Sequence, residues 1–436
     1  MNLSQFAPCR PFVVTISSSL SVAHFKKAIK EEISNDLKAH ELDLFHVSVL
    51  DEGDLTAKVK DATGGIEPLR STRKLSTVFP SEPPEETIHI AVKLPSPLST
   101  LMHEFTRRRQ SYLDKFPSRA PSAFAQPSQL PKFPKPDRGG FRCDRPPSAA
   151  SPVPITLLYP LFNELIDDCE SYQPSKEDRA FALELAHAMS SIFNNEKERQ
   201  AKFLEVCLKH GLSFTPSEIV GTTFTTDGDM QCNGFIYCLG EIINEAGSKG
   251  AEPVFQAGCY YTTHLKQRRD AASLGSPLPC LGVYLIGPLL GFLGLAFTDQ
   301  MQLQMLAQPI RFDYHHTDVK QRRIAAHYLG SLKRVIRKLK DYYEIELPRL
   351  RNFPTRSSSA PILPCYSRYT ALSDSVVHEI QYVAQAMANK LVFFGKIDDS
   401  DIYIKFVTRY SKEAHLYCAT LGIAPTLRGL EALPSG

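Results

Sequence analysis

The chain has 436 residues, of which 43% are hydrophobic and 22% charged, a composition that supports a folded core and excludes a wholly disordered protein. Its 50 basic and 47 acidic residues give a net charge of +3, so overall charge selects no class of partner. Ten cysteines occur without a C-x-x-C pair, which argues against a zinc site and a dense disulfide scaffold.

The first predicted unit is a small α+β domain. Pro11–Ile16, Leu42–Val49 and Thr87–Val92 alternate between apolar and polar residues, as half-buried strands do. Ser21 is suited to cap a helix whose apolar residues recur at helical spacing up to Ile33. A strand, a helix, a strand and a late strand form the order of a ubiquitin-like β-grasp fold. Met1–Arg10 offers neither a basic segment nor a long apolar stretch, so no standard secretory signal is predicted.

Three runs in this unit resemble the N-terminal domain of the Crinkler effectors of fungi and oomycetes. Leu75–Pro80 (LSTVFP) and Ile88–Val92 (IHIAV) match the closing motif of that family, and PFVVTISSSLSVAHFKKAIKEE resembles its opening. The resemblance covers roughly residues 10–95 and departs at Phe45, where the family usually has tryptophan. It implies a Crinkler-like, ubiquitin-like domain at residues 1–95 that translocates into a host cell. The alternative is a ubiquitin-like interaction module without a transport role.

Residues 96–154 are predicted to be a disordered, proline-rich basic linker. Twelve of the 32 prolines lie between Pro95 and Pro154, together with ten basic and four acidic residues. Such a segment buries too little apolar surface to offset its ordering entropy. Arg107–Arg109 lies within it and could act as a nuclear-import patch. A second linker is predicted at residues 347–374.

Residues 155–346 contain the acidic pair that could be catalytic. Asp229 and Glu241 are separated by about a dozen residues, and Glu241 ends a predicted strand. Two carboxylates on neighbouring strands can bind Mg²⁺ through hard oxygen ligands. A restriction-endonuclease-like site adds a lysine two residues after the glutamate, but this chain has Ile243 there. The alternative is a surface turn followed by a strand that ends in glutamate.

This middle region also resembles a restriction-endonuclease-like module attached to Crinkler N-terminal domains and a domain that precedes kinase-like domains in mushroom-forming fungi. The passages GEIINEAGSKGAEPVFQAGCYYTTHL and FDYHHTDVKQRRIAAHYLGSLKRVI carry the resemblance. It implies a nuclease-like α/β domain whose site is degenerate. Asp229 and Glu241 would bind a metal ion only if that site is active. The uncharged run Leu278–Phe297 is interrupted by Gly287-Pro288, so we expect a buried β-hairpin rather than a membrane span.

A basic helix is predicted over Lys320–Lys340, which has eight basic residues and no acidic one. Its apolar stripe should pack on the sheet and leave a basic outer face. Such a face could follow a phosphate backbone, although a solvated face is the simpler alternative. The predicted nucleic-acid contacts are Arg322, Arg323, Lys333, Arg334, Arg337 and Lys338.

Residues 375–436 resemble the start of a protein-kinase N-lobe. Lys405 ends a predicted strand at the position of the lysine that contacts the nucleotide phosphates, and Glu413 is the candidate partner on the next helix. No H-R-D-x-x-x-x-N or D-F-G motif follows, so the resemblance implies a truncated lobe without phosphoryl transfer.

The sequence thus predicts a multidomain α+β and α/β protein with an N-terminal β-grasp domain, a nuclease-like centre and a kinase N-lobe fragment. The resemblance implies a secreted effector that acts in a host cell by binding a host protein or nucleic acid, without intact catalysis and without a cofactor. One alternative is a Mg²⁺-dependent nuclease. Another is an intracellular or nuclear pseudoenzyme of a fungal conflict system. No small-molecule substrate is indicated.

Overall fold

The computed structural model describes residues 12–33, 39–52, 54–84, 86–93, 97–132, 140–248, 250–352, 363–387, 390–398 and 400–434. The chain divides into two compact units, Met1–His103 and Glu104–Gly436. In the described part of the chain, no helix is long and apolar enough to cross a membrane.

The first unit pairs two antiparallel strands with short helices. Its helices are α1 (Val22–Ile33), α2 (Leu55–Thr63) and α3 (Leu75–Val78), and its strands are β1 (Asp43–Leu50) and β2 (Thr87–Lys93). Both later predicted strands are therefore confirmed. The predicted first strand is wrong for residues 12–16, which have no strand pairing; Val14 and Ile16 pack against the core instead. Residue 11 lies outside the described residues.

Both faces of this small sheet are buried, although its pairing contains one register shift. The shift lies between His46 and Val49. Leu42 and Leu44 join a core cluster with α1 and α3, whereas Phe45 joins a second cluster that includes Val59 of α2. Because successive strand residues point to opposite faces, a helix covers each face of the two-stranded sheet.

The second unit is built on a mixed sheet. Its sheet strands are β3 (Gly228–Cys232), β4 (Phe235–Ile243), β5 (Cys280–Ile286), β6 (Leu289–Phe297), β7 (Met301–Met305) and β8 (Ile310–Arg311). The order is β3-β4-β5-β6-β7, with β8 also paired to β6, and only β4 and β5 run parallel. The predicted hairpin in Leu278–Phe297 is confirmed, since β5 and β6 are antiparallel and turn at Gly287-Pro288.

The helices that accompany this sheet pack against it or against one another. They are α4 (Pro97–Lys115), α5 (Pro121–Phe124), α6 (Ile155–Leu158), α7 (Pro160–Ser171), α8 (Lys176–Met189), α9 (Glu196–Lys209), α10 (Pro253–Lys266), α11 (Val319–Asp341) and α12 (Leu347–Asn352). A π-helical turn at Tyr342–Glu346 joins the last two. The helix α10 packs on β4, and α11 packs mainly against α7 and α8. The apolar stripe of α11 is therefore shared between the sheet and a second helical layer.

The prediction of a disordered linker at residues 96–154 is wrong for the described residues. The helix α4 occupies nineteen of these residues, and Phe105, Tyr112 and Phe116 are buried in the second unit. The physical reason is that aromatic residues recur along one helical face, which the proline count concealed. Arg109 is fully buried as well, so it is not available to an import patch, whereas Arg107 and Arg108 are exposed and their part in such a patch stays a prediction.

The C-terminal part of the second unit forms two smaller sheets. The strands β9 (Arg368–Thr370) and β10 (Val377–Glu379) pair with each other, and β11 (Gln381–Gln385), β12 (Val392–Ile397) and β13 (Ser400–Lys405) form a three-stranded sheet, followed by the helix α13 (Lys412–Thr420). The predicted second linker at residues 347–374 contains α12 and β9. Its residues 353–362 lie outside the described residues.

Candidate functional site

The β3–β4 hairpin decides which aspartate lies next to Glu241. Gly228 is paired with Gly240, and Asp229 with Leu239. Continuing this register places Asp227 opposite Glu241, and directly opposite residues share a face of the sheet. The Oδ2 atom of Asp227 accepts a hydrogen bond of 2.8 Å from the backbone N–H of Ile242. The structure therefore brings Asp227, rather than the predicted Asp229, beside Glu241.

Asp229 is held in a local hydrogen-bond network. It is buried, and its carboxylate accepts bonds from Thr226 Oγ1 at 2.6 Å, from Gln231 Nε2 at 2.9 Å and from Ser217 Oγ. A carboxylate with three such donors is satisfied within the protein. This arrangement favours a structural role that connects β3 to the preceding loop, and a ligand role for Asp229 stays a prediction.

Tyr260 of α10 lies close enough to Glu241 and Asp227 to interact with their charges. Burial raises the pKa of Tyr260, and the charges of Glu241 and Asp227 raise it further, whereas a hydrogen bond with Gln256 lowers it. The Tyr260 hydroxyl donates to the Thr225 carbonyl oxygen at 2.8 Å. Asp227, Gln256 and Tyr260 were not among the predicted site residues. The register of the hairpin, which sequence spacing alone does not define, is the signal that identifies Asp227.

The position of the missing lysine is apolar. Ile243 is 6% exposed at the end of β4. Arg199 of α9 is a buried cation that binds the residues after the strand. Its guanidinium donates to Glu245 Oε1 at 2.6 Å and to Asn244 Oδ1 at 3.3 Å. Arg199 is fully buried and also donates to the Gly287 carbonyl oxygen at 2.9 Å. It therefore rigidifies the end of β4 and does not replace the lysine.

Among the described residues, no group of three or more histidine, cysteine, aspartate or glutamate side chains is arranged to hold a metal ion. Asp229 is engaged with its three donors, and one oxygen of Asp227 accepts a backbone hydrogen bond. The hairpin register places Asp227 rather than Asp229 opposite Glu241, and Mg²⁺ binding by Asp229 and Glu241 stays a prediction.

The basic helix α11 is partly neutralised by acidic residues of the neighbouring helices. Arg334 is paired with Asp168 at 2.8 Å and with Glu164 at 3.1 Å, and Lys338 also contacts Glu164. Lys333 lies 3.7 Å from Asp178.

Three of the six predicted phosphate-binding residues thus hold α11 against α7 and α8. Arg322, Arg323 and Arg337 are exposed. The interpretation of the whole basic face as available to a ligand is therefore wrong, because acidic partners distant in sequence occupy half of it.

The kinase-like pair is not formed. Lys405 is exposed at the end of β13, and Glu413 is exposed in the first turn of α13. The Glu413 carboxylate lies 3.4 Å from Ser411 Oγ. No ion pair joins Lys405 to Glu413, both of which belong to the described residues. The assignment of a nucleotide-binding role to this pair stays a prediction.

Comparison with known proteins supports the assignment of the first unit. Residues 4–93 match the Crinkler effector protein N-terminal domain. Neither the curated proteins nor the solved structures gave a match. The chain therefore carries an effector-type domain at its N-terminus, and that domain suggests an effector-type function. The match starts a few residues before the resemblance identified from the sequence.

Proposed function

We propose that this protein is a Crinkler-type effector that is secreted and acts inside a host cell, where its second unit binds nucleic acid without cleaving it. The match of residues 4–93 supports the effector part of the proposal. Translocation by the N-terminal domain and a nuclease-like ancestry of the second unit are further parts of it. A nuclear or other intracellular location in the producing organism is the competing possibility.

The observation that carries the absence of cleavage is Ile243. Asp227 and Glu241 lie together at the end of β4, but the residue that should orient water and balance charge is a buried isoleucine. An isoleucine cannot donate a hydrogen bond or stabilise a negative charge in the transition state. Removal of one such group typically lowers the rate by about 10²–10³. Such a site keeps its two carboxylates in place but does not catalyse hydrolysis.

The nucleic-acid part of the proposal depends on the exposed residues of α11. Arg322, Arg323 and Arg337 carry charges that no ion pair of the described residues neutralises, and they lie on one long helix. Arginine side chains bind phosphate oxygens directly, and such binding releases counterions. Affinity should therefore fall steeply as the salt concentration rises.

Cleavage is tested with labelled DNA and RNA and the purified full chain in the presence of Mg²⁺ or Mn²⁺. We expect no product above background. The variants Asp227→Asn and Glu241→Gln serve as controls because they preserve size. Cleavage by the unmodified chain that both variants abolish would contradict the proposal and support the Mg²⁺-dependent nuclease instead. The position of Asp227 opposite Glu241 is the observation that favours this second candidate.

Binding is tested by fluorescence anisotropy with the same nucleic acids at several salt concentrations. The double variant Arg322→Ala/Arg323→Ala should reduce the slope of log affinity against log salt by about 1.8, or about 0.9 per lost phosphate contact. The matched control is Lys333→Ala, because Lys333 faces Asp178. Equal effects of the two variants, or binding that does not depend on salt, would favour a host protein as the partner.

Residues 375–436, which resemble a kinase N-lobe, have no role in the proposed nucleic-acid binding. Lys405 and Glu413 remain candidates for a remnant of that fold, since β12, β13 and α13 follow one another in the predicted order. We propose no phosphoryl transfer for them.

A further inference from the structure

A cavity of about 370 Å³ lies beside the start of α10 and is not part of the acidic site. Its walls include Phe255 of α10, Tyr284 of β5 and Leu303 and Met305 of β7. Its size falls within the range of small-molecule sites, which bury an apolar ligand body and fix it with a few polar groups. This cavity has both kinds of lining.

The apolar wall is shaped by a close approach between two strands. Tyr284 is paired with Gly291 in the β5–β6 register. A Cβ atom at Gly291 would lie 2.2 Å from the Tyr284 hydroxyl oxygen, so the tyrosine ring lies over the bare backbone of Gly291. Any side chain at position 291 would displace the ring. Tyr284 is also paired with Glu241 in the parallel register, and the cavity therefore adjoins the strand that carries the acidic site.

The polar part of the lining carries a net negative charge. Asp144, Arg145 and Glu252 all belong to it, which gives two carboxylates and one guanidinium. The Cys143 thiol is also present, and burial raises its pKa. These side-chain charges favour a cation over an anion, against the positive end of the α10 dipole at the same place.

Glu252 is placed so that its carboxylate faces both the helix and the cavity. It is the N-cap of α10 and accepts a hydrogen bond of 2.8 Å from the backbone N–H of Phe255. A carboxylate has about four acceptor positions, so further donors can be accommodated. Burial raises the pKa of Glu252, while the backbone bonds and the Arg145 charge lower it. A bound cation would offset the cost of that burial.

We propose that this cavity binds a small organic cation, a primary ammonium group on a compact apolar body. The body packs against Phe255, Tyr284 and Leu303. The ammonium group donates a hydrogen bond to the Glu252 carboxylate. The site is independent of the nucleic-acid function proposed for α11. An experiment can therefore contradict either proposal and leave the other unaffected.

Three matched probes test the charge requirement with the full chain: benzylamine, benzyl alcohol and benzoate, titrated by calorimetry or ligand-observed NMR. Benzylamine should bind about ten- to a hundredfold more tightly than benzyl alcohol, the range expected for one hydrogen bond to a charged group. Benzoate should bind most weakly. Equal affinities for the amine and the alcohol, or no binding of any probe, would overturn the proposal.

Three variants locate the site. Glu252→Gln keeps a side-chain oxygen to cap α10 and should reduce benzylamine to the affinity of benzyl alcohol. Arg145→Ala removes the competing cation and should strengthen benzylamine binding severalfold. Met305→Trp should fill the cavity and weaken both probes, because Met305 is 43% exposed at its edge.

Thermal melting confirms that each variant is folded. If Glu252→Gln unfolds the protein, the opposite responses to Arg145→Ala and Met305→Trp still decide the question. Amine binding that survives Met305→Trp, or a preference for the amine that is unchanged in a folded Glu252→Gln variant, would contradict the proposed site.

Discussion

The central sheet (β3–β8) and the C-terminal sheet (β11–β13) of the second unit differ in how completely they are covered. All nine residues of β4 are buried, and β6 is buried except at its first residue. In β12, buried and exposed residues alternate, and α13 buries none of its residues. A strand that is apolar throughout needs cover on both faces, whereas an alternating strand needs it on one. The two sheets should therefore respond very differently to substitution.

The largest expected effect is that of Arg109→Ala, which removes the cation that connects α4 to loops around the central sheet. The guanidinium donates to the carbonyl oxygens of Thr298 at 2.6 Å, Leu274 at 2.8 Å and Ser276 at 2.6 Å, and also contacts Ala271 and Phe297. Burial lowers the pKa of Arg109 to about 9, so the side chain remains charged at neutral pH. Leaving these buried acceptors unpaired should cost about 3–5 kcal/mol.

Chemical denaturation of the full chain measures this effect, and hydrogen exchange of α4 shows where it acts. The matched control is Arg108→Ala, since Arg108 is exposed and forms only an ion pair with Glu104. That variant should change stability by less than about 0.5 kcal/mol. Equal losses in both variants would show that α4 is not anchored through Arg109.

The second effect is a loss of stability of the second unit at acidic pH through His264. This residue of α10 is 6% exposed and accepts a hydrogen bond from the backbone N–H of Ile236 at 3.3 Å. Burial, with a contribution from Arg268, lowers the pKa of His264 to about 4 from 6.5. The unfolded chain therefore binds the proton more readily than the folded one. Stability is fully present above about pH 6.5 and falls by at most about 1.4 kcal/mol per pH unit down to pH 4.

Denaturation midpoints measured across this pH range test the prediction. The variant His264→Gln should lose stability at neutral pH but show a smaller decline between pH 6.5 and 4. The control His315→Gln should retain the full decline, because His315 is exposed. If the stability of His264→Gln falls as steeply between pH 6.5 and 4 as that of the unmodified chain, other titratable groups cause the loss.

A third and smaller effect is expected for Gly258→Ala, where α10 meets β7. A Cβ atom at Gly258 would lie 2.8 Å from Phe141 Cε2 and 2.9 Å from Leu303 Cδ2. Such overpacking costs about 1–3 kcal/mol, partly offset by about 1 kcal/mol of helix propensity. Gly250→Ala is the matched control, since no atom lies within 4 Å of the added Cβ. Thermal unfolding should shift only for Gly258→Ala, and identical melting curves would show that the packing here can adjust.

The smallest effect is expected for Tyr403→Ala, on the exposed face of the C-terminal sheet. Tyr403 of β13 is 68% exposed, and its ring contacts Phe394 with a centroid separation of 4.5 Å. Tyr403→Ala should therefore cost no more than about 0.5–1 kcal/mol. Phe393→Ala, on the covered face of the same sheet at 0% exposure, should cost about 3–5 kcal/mol. If urea denaturation gives the two variants similar losses, this sheet is covered on both faces in solution.

Local patterns predicted much of the fold. The Gly-Pro interruption predicted the β5–β6 hairpin, the alternation of TIHIAV predicted β2, and the spacing of apolar residues predicted α11. Motif similarity predicted the Crinkler domain. These features depend on neighbours in the chain, because the turn, the pleat and the helical period are all local properties.

The tertiary structure decided the environment of the charged residues. Arg109 donates to carbonyl groups more than 150 residues away, and Arg334 pairs with Asp168 across 166 positions. Asp227 replaces Asp229 beside Glu241 through the register of one hairpin. A charge can be buried only where distant groups satisfy it. The sequence therefore determined where helices and strands form, whereas the packing between them determined which charged side chains are structural and which remain available to a ligand.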